Sequence, residues 1–242
     1  MRFMELAKKN FKGMYRDPLS MGLTIAMPAC LLVILWALGR NLGESFLTPT
    51  MLAPGIAVFG FAILLMVSAM TLARDRESAL LSRLLTAPLR ANDFISAYSL
   101  PYIPVAIIQV VVFFVIGALL GLEIHGNVGL VFLVLFVMSI CCIELGMILG
   151  SLFTQNQVAG VGTAIIVFAS IFGGTWMDLE TIGGVFYSIG NALPFAHAVT
   201  AARDVMMGAG FSDIATDFYW VLGYTVVFFA LGIFLFRRRM VE

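Results

Sequence analysis

Between Val128 and Phe153 the chain runs unbroken through apolar residues, with a single charged one, Glu144. A helix needs about 20 such residues to cross a bilayer core. In hydrocarbon every backbone N–H and C=O must be satisfied inside the segment, which leaves a helix as the form for an isolated run. Five more stretches qualify: Leu19–Leu38, Met51–Ala73, Pro101–Leu122, Val158–Trp176 and Phe218–Phe236. With 61% of its 242 residues hydrophobic and 12% charged, against about 25% charged in soluble domains, the chain has too little polar surface to cover itself in water. The reading is an all-α polytopic membrane protein, residues 1–242 forming one transmembrane domain of six spans. The first span is not a cleavable signal: its charged lead is long and no small-residue cleavage site follows.

Six spans leave both termini on one side. Twelve of the fourteen basic residues fall on that side: five in the arm before span one, four in the second–third loop (Arg74, Arg76, Arg83, Arg90) and three in the tail (Arg237, Arg238, Arg239). Only Arg40 and Arg203 fall opposite. The positive-inside bias then predicts cytoplasmic termini.

The same inventory excludes chemistry. The three lysines, Lys8, Lys9 and Lys12, all lie in the first 12 residues, so no P-loop is present, because its glycines must be followed by a lysine. Cys30, Cys141 and Cys142 sit in apolar runs and read as small hydrophobes, without the spacing of a zinc site or disulfide framework.

Residues 1–17 have helical periodicity. Glu5, Lys8, Lys9, Lys12 and Arg16 recur on one side, with Phe3, Met4, Ala7 and Phe11 opposite. Such a helix lies flat in the headgroup layer; the plainer alternative is positive charge that serves only topology. Asp17-Pro18 ends it and starts span one.

The loop 74–97 contains SRLLTAPLRANDF. Leu80, Leu81, Leu84 and Leu85 recur as one face of a short helix, with Ser82, Arg83 and Thr86 on the other. Pro88 ends it, and Asn92 or Asp93 caps the next helix. Those leucines either dip into the inner leaflet or dock in a groove on another protein.

The stretch RDRESALLSRLLTAPLRANDFISAY resembles the cytoplasmic segment of ABC-2 type permeases, the membrane subunits of ATP-binding-cassette exporters. Arg83, Leu84, Leu85, Thr86, Pro88 and Leu89 match its pattern; Ser78-Ala79 stands where Gly-Thr is usual, and Ser82 where Glu is usual. ALPFAHAVTAARDVMMGAG, Ala192 to Gly210, is similar to the family's motif before the last span. The resemblance implies a half-transporter assembled with a second permease subunit and two separate nucleotide-binding subunits. The leucine helix would be a coupling helix seated on the ATPase, with Glu77, Leu80, Leu81, Arg83, Leu84, Leu85, Pro88 and Arg90 as coupling residues. This chain would be non-catalytic and bind no cofactor; ATP and Mg would belong to the partner.

Within the spans, Glu144 is costly unless it faces protein or water. It either lines the substrate path or gate with Gln109, Ser139 and Thr163, or is a structural carboxyl paired to one of those three. Gly117–Gly121 and Gly146–Gly150 have the spacing of close helix contacts, within the chain or between subunits. Pro101 and Pro104 open span three, or kink it if the helix begins near Asn92.

Residues 177–217 are too polar to span and too apolar for an ordinary loop. They predict a re-entrant helical hairpin in the outer leaflet, with a helix over Ala196–Met207 and an outer gate formed by Pro194, Phe195, His197 and Arg203. A lone histidine is read as hydrogen-bonded and structural ahead of a pH switch or ligand; Asp178, Glu180, Asp204, Asp213 and Asp217 are read as a solvated outer face.

The functional expectation is an export permease for an amphipathic, lipid-like or drug-like molecule. It would sit multi-pass in a prokaryotic inner (plasma) membrane, with an ABC ATPase, a second permease and lipids as partners and no nucleic acid. A stand-alone secondary carrier is the runner-up, although one glutamate and no internal repeat speak against it. An intramembrane enzyme lacks its motifs, such as a zinc-binding helix or a glycine-flanked serine.

Overall fold

The computed structural model describes residues 2–42, 47–78, 91–176 and 179–241, and these are helical with short connections. In chain order the helices are α1 (Arg2–Tyr15), α2 (Pro18–Leu42), α3 (Pro49–Glu77), α4 (Ala91–Ser99), α5 (Tyr102–Leu119), α6 (Val128–Leu152), α7 (Gln155–Phe172), α8 (Leu179–Ile182), α9 (Gly184–Gly190), α10 (Pro194–Met206) and α11 (Phe211–Val241). Among the described residues six stretches are long and apolar enough to cross a membrane: α2, α3, α4 with α5, α6, α7 and α11.

The expected spans lie where these helices are, with three adjustments. Span three begins by Ala91 and is broken at Leu100-Pro101 into α4 and α5. Span five starts earlier, at Gln155, and ends at Phe172 before Gly173-Gly174. Span six starts at Phe211, so Asp213 and Asp217 belong to its first turns.

α3 is the axis of the bundle. Of its most apolar stretch 78% of the residues are buried, against 22% for α2, α7 and α11. It is apolar all round, as a helix enclosed on every side must be, and packs against α2, α5, α6, α7 and α10. Its closest neighbour is α6. A Cβ added to Gly146 or Gly150 would stand 2.6 Å from the Leu65 or Ala69 carbonyl oxygen, so this glycine pair serves packing within the chain. The pair of the same spacing at the close of α5 does something else: Gly121, two residues past the helix, takes φ +92, where a side chain would be strained.

Two proline breaks organise the packing. A helical proline leaves the carbonyl four residues earlier without its N–H donor. Pro28 inside α2 orphans Thr24 in this way, and a side-chain amide of another helix repairs it: Gln109 Nε2 of α5 donates to the Thr24 oxygen at 3.0 Å and to the Gly60 oxygen of α3 at 3.3 Å. Pro101 orphans Ala97, and Asn10 Nδ2 of α1 donates to that oxygen at 3.1 Å. Gln109 is fully buried and Asn10 nearly so.

The helix ends are fixed conventionally. Asp17 is the N-cap of α2, accepting from the Ser20 N–H at 3.2 Å with Pro18 next. Asn127 caps α6, and Thr154 with Gln157 forms a capping box on α7. The end of the bundle holding α1, α4 and the close of α11 is termed the basic end; the opposite end holds α8, α9 and α10.

Candidate functional site

α1 shows why amphipathic periodicity alone understates what a helix does. Leu6, Ala7 and Asn10 are buried against α4, whereas Met4, Phe11 and Tyr15 are exposed at i, i+7 and i+11. Of the face expected to be apolar, Ala7 goes to protein and Met4 and Phe11 face outward. Three faces result: one charged, one packed on the bundle and one apolar stripe free for lipid.

The last turn of α3 ties this arm to the rest. Asp75 Oδ2 receives Lys9 Nζ of α1 at 2.6 Å and the Tyr98 hydroxyl of α4 at 2.9 Å, while Lys9 also stands 6.0 Å from the centre of the Tyr98 ring. Arg76 Nη2 donates to the Phe153 oxygen just past α6, at 3.0 Å. Glu77 Oε1 accepts the Gln155 N–H at the start of α7, at 3.3 Å, where a carboxylate also complements the helix dipole. Three consecutive side chains thus join α3 to α1, α4, the end of α6 and the start of α7. Residues 79–90 begin immediately after this hub.

Beneath it lies a separate apolar cluster: Leu6 and Ala7 of α1, Leu72 of α3, Phe94 and Tyr98 of α4, Met147 of α6 and Phe236 of α11. Phe94 stacks on Phe236 with ring centres 4.0 Å apart. The helix that follows residues 79–90 is therefore packed against four other helices at once.

Of the expected coupling residues, Glu77 is in the hub and bonded within the chain; Leu80, Leu81, Arg83, Leu84, Leu85, Pro88 and Arg90 lie outside the described residues. Asp75, Arg76, Asn10 and Tyr98 were not singled out from sequence. The run ARDRE reads as topogenic charge, and only its contacts over 66 and 77 positions reveal otherwise.

The residues expected along a path are not joined. Ser139 donates to the Phe136 oxygen one turn back, Thr163 to the Ala159 oxygen, and Gln109 makes the proline repair. No hydrogen bond links any of them to Glu144 among the described residues. Glu144 is buried beside Ser99, at the α4–α5 break. At 1.5 Å per residue it stands about 12 Å from the basic end of α6 and about 24 Å from the other, so it is off-centre and not at mid-helix.

At the opposite end α10 is enclosed by α3, α6 and α11. Pro194 begins it, and Pro194, Phe195 and His197 are buried. His197 Nδ1 bonds the Asp217 carboxylate of α11, Nε2 bonds the Asn191 oxygen at 2.9 Å, and the ring lies against Trp220. Asp217 is thus a structural partner, which corrects its reading as mere solvated surface. Arg203 Nε donates to the Met51 oxygen of α3 at 3.0 Å and Nη2 to the Gly174 oxygen at 2.9 Å. The four residues expected at an outer gate are all on one helix, bonded or packed into its surroundings.

Comparison with known proteins places this architecture. The family model described as ABC-2 type transporter matches residues 1–207. "ABC transporter G family member 20" of Dictyostelium discoideum is 22% identical over 194 residues, covering 78% of this chain and 27% of the relative. The chain therefore spans about a quarter of that relative's length. A six-span bundle matched along most of its sequence by one family establishes that the chain belongs to the ABC-2 type transporters, as a multi-pass membrane component of transport.

Proposed function

We propose that the chain is the membrane subunit of an exporter driven by ATP that a separate subunit hydrolyses, and that it works as a pair with a second permease. Family membership supports an ATPase partner and a dimeric assembly. The observation that carries the reading is the hub at Asp75, Arg76 and Glu77. A segment gripped by a motor transmits motion only if its ends are anchored in the spans. Here the residues before 79–90 are bonded to four elements, and the helix after it is packed against four.

In this mechanism the leucine face of 79–90 seats in a cleft on the ATPase, and Arg83 and Arg90 make rim contacts that tune docking. Closure of the paired ATPases moves the segment; α3 and α4 carry the displacement into the bundle and bias it between two arrangements. The excess of basic residues at this end supports a cytoplasmic position for it. α8, α9 and α10 then form an outer re-entrant cap, and Pro194, Phe195, His197 and Arg203 hold its closed form. The cargo is amphipathic or lipid-like, because the interior of the spans holds scattered hydroxyls and the Glu144 carboxyl but, among the described residues, no basic cluster for a strongly anionic solute.

Leu84→Asp with Leu85→Asp tests the assignment. The variant should insert normally yet fail to retain its ATPase on affinity purification. Undiminished retention and ATP turnover would contradict the reading.

A further inference from the structure

Between α1, the start of α2, the last turns of α3 and the α4–α5 corner lies a cavity of about 310 Å³, at the small end of the range for ligand sites. Its lining is of two kinds. Met14, Met21 and Met70 are among its lining residues, and methionine adapts well to a flexible apolar chain. Lys9, Asp17, Arg74 and Asp75 are its charged lining residues.

The charges divide unequally. Lys9 and Asp75 neutralise one another at 2.6 Å. Arg74 is exposed and makes no hydrogen bond or ion pair among the described residues; its charge acts on Asp17 only through space. Bonds from Ser20, its side chain first and its backbone N–H second, hold the Asp17 carboxyl below the usual carboxylate range, so it is ionised at neutral pH. One cation without an ion-pair partner among the described residues, and one carboxylate bonded only by neutral Ser20 donors, thus line a cavity that methionines also line.

The cavity also borders the lipid-facing surface. Leu19 and Leu23 of α2 and the Met4, Phe11 and Tyr15 stripe of α1 are exposed on two of the helices that wall it. A ligand complementary to all of this carries a phosphate, a primary ammonium and an alkyl chain. A purely anionic headgroup would meet Asp17 with like charge, and a neutral one would leave both charges unmatched.

We propose that this cavity binds a phospholipid with a phosphate–ammonium headgroup. The phosphate sits on the Arg74 guanidinium, whose planar fork suits phosphate oxygens. The ammonium sits on Asp17, and the start of an acyl chain lies along Met14, Met21 and Met70. The site shares no residue with the leucine segment that carries the transport reading, so its failure would leave that reading untouched.

The test is native mass spectrometry of the full chain in detergent, titrated separately with dioleoyl phosphatidylethanolamine, dioleoyl phosphatidylglycerol and dioleoylglycerol. Phosphatidylethanolamine should be retained about tenfold more than phosphatidylglycerol, as expected for one lost charge-assisted bond, and dioleoylglycerol should not be retained. Arg74→Gln should lower phosphatidylethanolamine retention about tenfold, again one such bond, and Arg74→Lys should recover much of it. Asp17→Asn, which still caps α2, should erase the preference between the two phospholipids. Equal retention of all three lipids, or retention unchanged in Arg74→Gln, would overturn the proposal. Displacement of the lipid by equimolar soluble phosphoethanolamine would also overturn it, by showing that the site takes a free solute.

Discussion

The repairs at Pro28 and Pro101 use the same chemistry in different settings. In each, a proline leaves a carbonyl without a donor, and a side-chain amide from another helix supplies one. Gln109 does this inside the bundle, where it is fully buried and reaches two helices. Asn10 does it from α1, an arm held by one face. The first repair is part of the bundle; the second is a latch at the end where residues 79–90 join the spans. The contrast teaches that the molecule has a fixed interior and a fastened but separable collar.

Gln109→Leu should do the most damage. Hydrogen bonds between membrane helices average about 0.6 kcal/mol; two bonds lost at a site with no water to replace them should cost about 1–2 kcal/mol. Unfolding in mixed detergent reads the loss, and adding Pro28→Ala should recover part of it by giving Thr24 its helical donor. A double variant no better than the single one would show that the repair is not what Gln109 does.

Asp75→Leu should cost about 1 kcal/mol, since it removes a half-exposed ion pair and leaves the Tyr98 hydroxyl without its acceptor. The loss should be local. Hydrogen exchange should rise in α1 and α4 and stay unchanged in α6, whereas Gln109→Leu should loosen α2, α3 and α5. Asn10→Leu should be the mildest, at about 0.5 kcal/mol for one bond, with Pro101→Ala offsetting it. If Asn10→Leu and Gln109→Leu opened the same amides, the distinction between collar and interior would fail.

Sidedness sharpens the picture without changing stability. Cysteines at Arg90 and Asp213 should react with impermeant reagent from opposite faces of the membrane. Labelling from one face would contradict the six-span topology.

The spans were legible because hydrocarbon allows little but a helix to an apolar run as long as Val128–Phe153. Asp17-Pro18 announced the start of α2 by chemistry confined to neighbours. The collar was not legible, because its bonds join residues far apart: Asn10 with Ala97, Lys9 with Asp75, Arg76 with Phe153. Gly117–Gly121 and Gly146–Gly150 show the same limit, since one spacing ends a helix in the first case and seats a neighbouring helix in the second. Which carbonyl a proline strands follows from sequence, but the amide that reaches it does not.

The central claim is that the collar carries motion between the ATPase and the spans. ATP turnover of the assembled complex in lipid vesicles, measured together with ATPase retention, tests it most directly. Asp75→Leu should keep the ATPase bound while turnover driven by the membrane subunit falls several-fold. Native turnover in Asp75→Leu, with its collar shown by hydrogen exchange to be loosened, would contradict the account.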